Sequence, residues 1–391
     1  MKERVQVLTS KQKILRLLLC IVLFTVVTSF VPAWWCGIGA HNWFDGSKEM
    51  QTAFARSIED HIQVKLSMDD FGTGDELFDR EWLFCTYILS ASGFAQMAKQ
   101  HPQRQDHYIK QMEICIEKLL SDELQEFDEE QWNSKAMETL DSDALHHGAY
   151  LAYLNFVLSL HRTLKLKSPY AKTNDLITKA LVRRIRKNKI KLIETYPNEV
   201  YPPDNCLAFA SIGLHAQATQ KKQPLLKEFL VNFHQRYIDP KSGLIFQAVD
   251  SSSGLPIDEP RGSGTTFGLY FLSFIDLKLS KQLYQATKDK LAESILGFGV
   301  VREYLASTYE ATGDVDSGPV VVGYGVSATG FMMAGARIHG DRDYFNKIYR
   351  TSVLFGTSLS SGGKWQYVTG GPLGNAIMFA MITAISEKVK K

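Results

Sequence analysis

Six stretches of this chain are apolar almost all the way round, and each is separated from the next by a charged, amphipathic one. The apolar stretches open near Trp82, Gly148, Asn205, Gly264, Ser327 and Asn375 and are rich in glycine, alanine and serine. A helix without a polar face is a buried helix, and small residues let neighbouring backbones approach closely. The intervening segments, 48–66, 104–120, 175–194, 224–237, 281–296 and 342–355, each keep one charged face. Buried helix, linker and surface helix, repeating at intervals of roughly 50 to 65 residues, mark a repeat architecture. The pattern predicts an all-α fold, an (α/α)6 toroid of six helical hairpins with an inner ring wrapped by an outer one. An open solenoid of helix pairs is the structural alternative.

The N-terminus follows a different pattern. Lys2, Arg4, Lys11, Lys13 and Arg16 precede an uncharged apolar run over 17–35 that ends in Trp34 and Trp35. About 19 residues at ~1.5 Å rise nearly match a ~30 Å hydrocarbon core. Basic residues stay on the cytoplasmic side, and tryptophans favour the interface. The expected organisation is a basic cytoplasmic segment (1–16), a single transmembrane helix (17–35) and an extracytoplasmic body (36–391). A cleaved signal peptide with its site near Val31-Pro32-Ala33 is the rival reading, and it leaves the body on the same side.

Composition narrows the function. With 44 Lys and Arg against 42 Asp and Glu, the formal net charge is +2, which lacks the basic excess of a nucleic-acid-binding protein. Cys20, Cys36, Cys85, Cys115 and Cys206 are widely spaced. They form neither a zinc framework nor a disulfide scaffold, and free or singly paired thiols are expected. No Walker A, H-E-x-x-H or EF-hand motif calls for a metal or cofactor. The acidic stretch 69–75 reads as a solvated connection. The basic cluster Lys179, Arg183, Arg184, Arg186, Lys187, Lys189 and Lys191 reads as a solvated outer face, with contact to anionic headgroups as the alternative.

In a sequentially connected ring the inner helices run parallel, so the loops leading into them share one mouth. Those loops hold Asp79, Glu81 and Trp82; His146 and His147; Tyr201, Asp204 and Asn205; Arg261; Asp314 and Asp316; and Trp365 and Asn375. Asp, Asn and Ser ahead of a helix are ordinary caps, and aromatic residues are ordinary core. The convergence of carboxylates, imidazole, arginine and aromatic rings on one opening points instead to acid–base chemistry on a neutral, hydroxylated substrate. The candidate acid–base groups are Asp79, Glu81, His147, Asp204 and Asp316. The candidate substrate-positioning groups are Trp82, Tyr201, Asn205, Arg261, Trp365 and Asn375. The run Asp314-Val315-Asp316-Ser317 resembles the acid motif of class II terpene cyclases, with Ser317 in its third acidic position.

The run YPPDNCLAFASIGLH from Tyr201, then FHQRYIDPKSGLIFQAVDSSSG, then PRGSGTTFGLYFLSF resembles the central part of the linalool dehydratase–isomerase family. The similarity is closest over 201–272. It implies an extracytoplasmic (α/α)6 toroid related in fold to six-hairpin glycosidases. In that family two catalytic cysteines flank the Pro-Asp-Asn motif. The matching positions here are Tyr201 and Ala210, and the family's histidine falls near Ala149, just after His146 and His147. Three functions are therefore expected in turn: a hydrolase or lyase acting on a glycan or other hydroxylated substrate, an alkenol lyase of the dehydratase–isomerase kind, and a non-catalytic envelope binding or assembly protein.

Overall fold

The computed structural model describes residues 9–305, 313–314 and 317–386. It opens with a long apolar helix, α1 (Ser10–Cys36), followed by α2 (Ala40–Asp45) and α3 (Lys48–Gln63). Then come α4 (Glu76–Gln100), α5 (Gln105–Leu119), α6 (Glu126–Trp132), α7 (Gly148–Leu164), α8 (Ala171–Lys187), α9 (Pro202–Thr219) and α10 (Pro224–Arg236). The last five helices are α11 (Gly262–Leu272), α12 (Leu277–Lys290), α13 (Val326–Ile338), α14 (Arg342–Gly356) and α15 (Gly371–Ile382).

The apolar helices α4, α7, α9, α11, α13 and α15 form the inner ring. Each packs on the next, and α15 packs back on α4. The ring therefore closes, and the solenoid alternative is ruled out. Outside it, α5, α8, α10, α12 and α14 each cover the inner helix they follow, and α3 covers α15. Close approach at the closing seam depends on Gly93, where a Cβ would stand 2.3 Å from the Phe379 ring. Aromatic rings bridge the ring from the second to the fourth inner helix: Tyr153 to Phe267 at 6.2 Å and Phe156 to Phe271 at 5.0 Å between centroids. The lumen is thus floored with side chains.

Among the described residues, four two-stranded antiparallel pairs lie between the helices: β1 (Glu199–Val200) with β2 (Val249–Asp250), β3 (Ala292–Ile295) with β4 (Phe298–Val301), β5 (Val320–Val321) with β6 (Tyr324–Gly325), and β7 (Ser358–Ser361) with β8 (Lys364–Tyr367). All precede inner helices and sit at the mouth end. Residues 281–296, expected as one helix, are instead split. After Lys290 the chain enters a hairpin whose turn residues Leu296 (φ 49°) and Gly297 (φ 87°) are both left-handed, the backbone such a two-residue turn demands. The third outer helix also ends early, at Lys187.

One device recurs at the mouth. A side chain at or beside the fourth position of an inner helix accepts a backbone N–H from the segment before it. Asp79 accepts from Thr73 (2.9 Å), Asn205 from Ile193 (2.9 Å), Thr265 from Ile245 (3.1 Å), Thr329 from Val301 (3.0 Å) and Asn375 from Tyr367 (2.9 Å). The two asparagines also donate back, to Ile193 O and Tyr201 O in one case and to Tyr367 O and Gly371 O in the other. These bonds satisfy backbone groups that burial would otherwise leave unpaired.

Helix α1 is exposed over most of its length. Among the described residues it is the one helix long and apolar enough to cross a membrane. Its 27 residues span about 40 Å at ~1.5 Å per residue. It begins before the expected 17–35 run because Lys11, Lys13 and Arg16 are already helical behind the Thr9 cap. No disulfide joins any of the five cysteines.

Candidate active site

Helix α4 starts at Glu76 because the Asp75 side chain accepts the Leu77 N–H. Asp79, Glu81 and Trp82 therefore lie on its first two turns, where a loop was expected. Glu81 and Cys85 share one face, four residues apart. Both stay half-buried on a helix that is otherwise largely enclosed from Leu83 onward.

On the third inner helix Pro202 and Pro203 open α9, and Asp204 follows them. Tyr153 of α7 donates its phenol hydrogen to one Asp204 oxygen at 2.8 Å, and Thr195 donates to the other at 2.7 Å. Burial raises the Asp204 pKa, and these two bonds oppose the rise. Burial also raises the Tyr153 phenol well above its ordinary value, with the Asp204 charge next, and Cys85 and Glu81 add to the effect. Tyr196 behaves alike: burial lifts its pKa, followed by the charges of Glu81, Asp128 and Asp204. Glu81 and Asp204 therefore both act on the same two phenols. Tyr196 is 7% exposed, yet its hydroxyl has no hydrogen-bond partner among the described residues. An unpaired buried hydroxyl costs roughly 1–3 kcal/mol, and a substrate oxygen would relieve it.

A second acidic centre lies at the heads of α11 and α13. Glu303 is fully buried and accepts the Ser263 hydroxyl and its N–H. Burial pushes its pKa up to about 7, against the pull of Ser263 and Arg261. Arg261 pairs with Asp258 (2.5 Å) and with Asp314. Its guanidinium lies 5.4 Å from the centre of the Tyr304 ring.

The remaining expected residues are spent elsewhere. Asp79 is held by Thr73, whose hydroxyl also donates to it at 2.8 Å. Asn205 and Asn375 are the clamps described above. His147 is fully buried, bonded to Asp128 (2.6 Å) and Ser134 (3.3 Å), with the Trp132 ring 4.9 Å away. It latches the α6 segment to the head of α7. His146 accepts the Glu194 N–H at 3.1 Å, and burial with Arg184 nearby lowers its pKa to about 4. Trp365 is a core residue, with ring centres 5.0, 4.8 and 4.7 Å from Trp43, Phe54 and Tyr367. Trp365 lies in strand β8, whose alternation turns its ring into the core. Tyr201 donates to Glu199 at 2.9 Å and is half-buried, as is Trp82. Asp316 lies outside the described residues. In the basic cluster, Arg184 is buried and binds the carbonyls of Thr139, Ser142 and His146, while Arg183 holds Asp143.

Of the expected acid–base groups, Asp204 is bonded to Tyr153, and Glu81 adds its charge to the burial that raises the Tyr153 and Tyr196 phenols. Tyr153, Tyr196 and Cys85 around Asp204 and Glu81, and Glu303 in the second acidic centre, are the residues that pattern reading missed. Tyr153 lies inside an apolar run where any aromatic residue reads as core, and the single sign of a role was the half-polar Thr195-Tyr196 step before Pro202. Among the described residues, no cluster of three or more His, Cys, Asp or Glu is arranged to hold a metal ion.

No family model matches this chain, and no curated protein matches it in sequence. In fold it is similar to a GH76 alpha-mannanase of Bacteroides thetaiotaomicron, at 10% identity and a TM-score of 0.45 over 76% of this chain and 84% of that one. It is also similar to a polysaccharide lyase, at 13% identity and a TM-score of 0.46 over 78% of this chain and 90% of that one.

Proposed function

We propose that this chain is a membrane-anchored, extracytoplasmic acid–base enzyme, a hydrolase or lyase, acting on a hydroxylated substrate at the mouth of the ring. The observation that carries this reading is the Tyr153–Asp204–Thr195 network, with Glu81 acting on the same tyrosines and Tyr196 holding an unpaired hydroxyl beside them. Asp204 holds a proton more tightly than an ordinary carboxylate, as a group that protonates a leaving oxygen must. Tyr153 and Thr195 fix its orientation. Glu81 supplies the second carboxylate, to take a proton from water or from a substrate carbon. Tyr196 donates its hydrogen to a substrate oxygen.

A glycan is the first substrate class, since its hydroxyls match the polar groups at the mouth. An alkenol-type substrate for a dehydratase–isomerase-like lyase is the second, and the lumen floor favours it. Phe267 stands 6.2 Å from Tyr153 and 5.4 Å from Phe331, an apolar wall suited to a hydrocarbon chain. A panel of oligosaccharides and unsaturated alcohols, with product release followed by mass spectrometry, separates the two. On whichever compound turns over, Asp204→Asn and Glu81→Gln are each expected to lower kcat by roughly 10²–10⁴-fold with the fold intact. Full turnover by both variants would remove these residues from the mechanism.

A further inference from the structure

The exposed apolar side chains of the body are not scattered. Segments that join the end of an outer helix to the start of an inner one lie at the mouth, and most of the large exposed hydrophobics of the body fall on them or on the helix ends that flank them. Ile295 and Leu296 cap the β3–β4 turn at 45% and 63% exposure, and Val322 of the β5–β6 turn is 84% exposed. Leu354 and Phe355 end α14 at 47% and 67%, and Leu359 follows at 48%. Scattered exposed hydrophobics need no explanation, whereas a concentrated rim does.

The point where α1 leaves the body lies on this same rim. Arg342 pairs with Asp45 at 2.9 Å, and the Phe44 and Phe345 rings are 5.2 Å apart. Further along, a Cβ on Gly37 would stand 2.9 Å from Arg350. The chain counts down from 45 to 37 while α14 counts up from 342 to 350, so the two run antiparallel. The last turn of α14, with Leu354 and Phe355, thus comes alongside the end of α1. Arg350 also donates to Gly297 O at 2.9 Å, and a Cβ on Gly297 would be 3.3 Å from that of Ala33. This sets the Ile295–Leu296 turn against the same helix end, beside the exposed Trp34 and Trp35.

We infer that the mouth of the ring rests on the bilayer that α1 enters, with the Ile295–Leu296 turn and the end of α14 dipping into the interface. Continuity with α1 and its tryptophan pair names the occupant of this apolar rim as lipid. Joined to the acid–base reading above, on which this second step rests, it names the substrate class. The substrate is an amphiphile that arrives from the membrane, its hydroxylated head reaching Asp204 and Glu81 while its hydrocarbon tail stays with the lipid or the aromatic floor.

Full-length protein in phosphatidylcholine vesicles carrying a nitroxide-labelled lipid near the headgroup provides the test. An environment-sensitive fluorophore is placed at Phe355→Cys, at Ile295→Cys as a second rim position, or at Leu166→Cys on the opposite end of the ring, each in a Cys20→Ser background. Leu166 is 70% exposed, so its label is free to report. The two rim labels are expected to lose fluorescence several-fold more than the Leu166 label. Equal quenching at both ends, or none at the rim, overturns the docking. Asp204→Asn chains in the same vesicles keep the catalytic question separate. Rim quenching with turnover of soluble oligosaccharides but of no amphiphile would sink the substrate class alone, turnover of an amphiphile without rim quenching would sink the docking alone, and no turnover of either class by the native protein would sink the enzyme reading.

Discussion

Asp204 and Asn205 are neighbours in sequence, yet one presents a carboxylate to Tyr153 and Thr195 while the other clamps the Ile193 backbone. Helical rotation of about 100° per residue separates their roles. Tyr196 shows the same economy in reverse, being buried with an unpaired hydroxyl. Tyr196→Phe is therefore expected to leave thermal stability unchanged or raised by about 1 kcal/mol, while lowering kcat/KM about tenfold; a lower melting temperature would show that the hydroxyl has a structural partner. Glu303 gives a pH signature. Its folded-state pKa of about 7 lies above the ordinary value, so the folded state binds the extra proton. Stability then falls as pH rises from about 4.5 through 7, by roughly 2–4 kcal/mol in all. Thermal melts from pH 5 to 8 are expected to show this loss in the native protein and not in Glu303→Gln, and parallel curves for the two would contradict it.

At the level of elements, the clamp is the unit that joins loop to inner helix. Asn375→Leu leaves the buried Tyr367 N–H and carbonyl without their partner and is expected to cost about 1–3 kcal/mol in denaturant unfolding; an unchanged midpoint would show that the strand is held by its hairpin alone. The alternation of all-apolar and amphipathic helices was legible in the sequence because periodicity reports burial directly. Direction within a loop was not. Trp365 and Asn375 belong to residue types that line sites, but strand pairing turns Trp365 into the core and the clamp uses up Asn375. The β3–β4 hairpin escaped notice because Leu296-Gly297 is a weak turn signal preceded by a helix-forming run. Tyr153 was hidden for the opposite reason, as a polar group inside an apolar helix.

Across the whole molecule, ring closure makes the site. Packing of α15 on α4, with Gly93 against Phe379, completes the circle around which the proposed pair, Glu81 of the first inner helix and Asp204 of the third, is set. The exit of α1 at the mouth then ties that opening to the membrane. The central claim, that these two carboxylates form one acid–base pair, is tested most directly by the pH dependence of kcat/KM on a substrate that the native protein turns over. A bell-shaped profile is expected, with Asp204→Asn losing the alkaline limb and Glu81→Gln the acidic one. A profile that keeps both limbs in each variant would contradict the account.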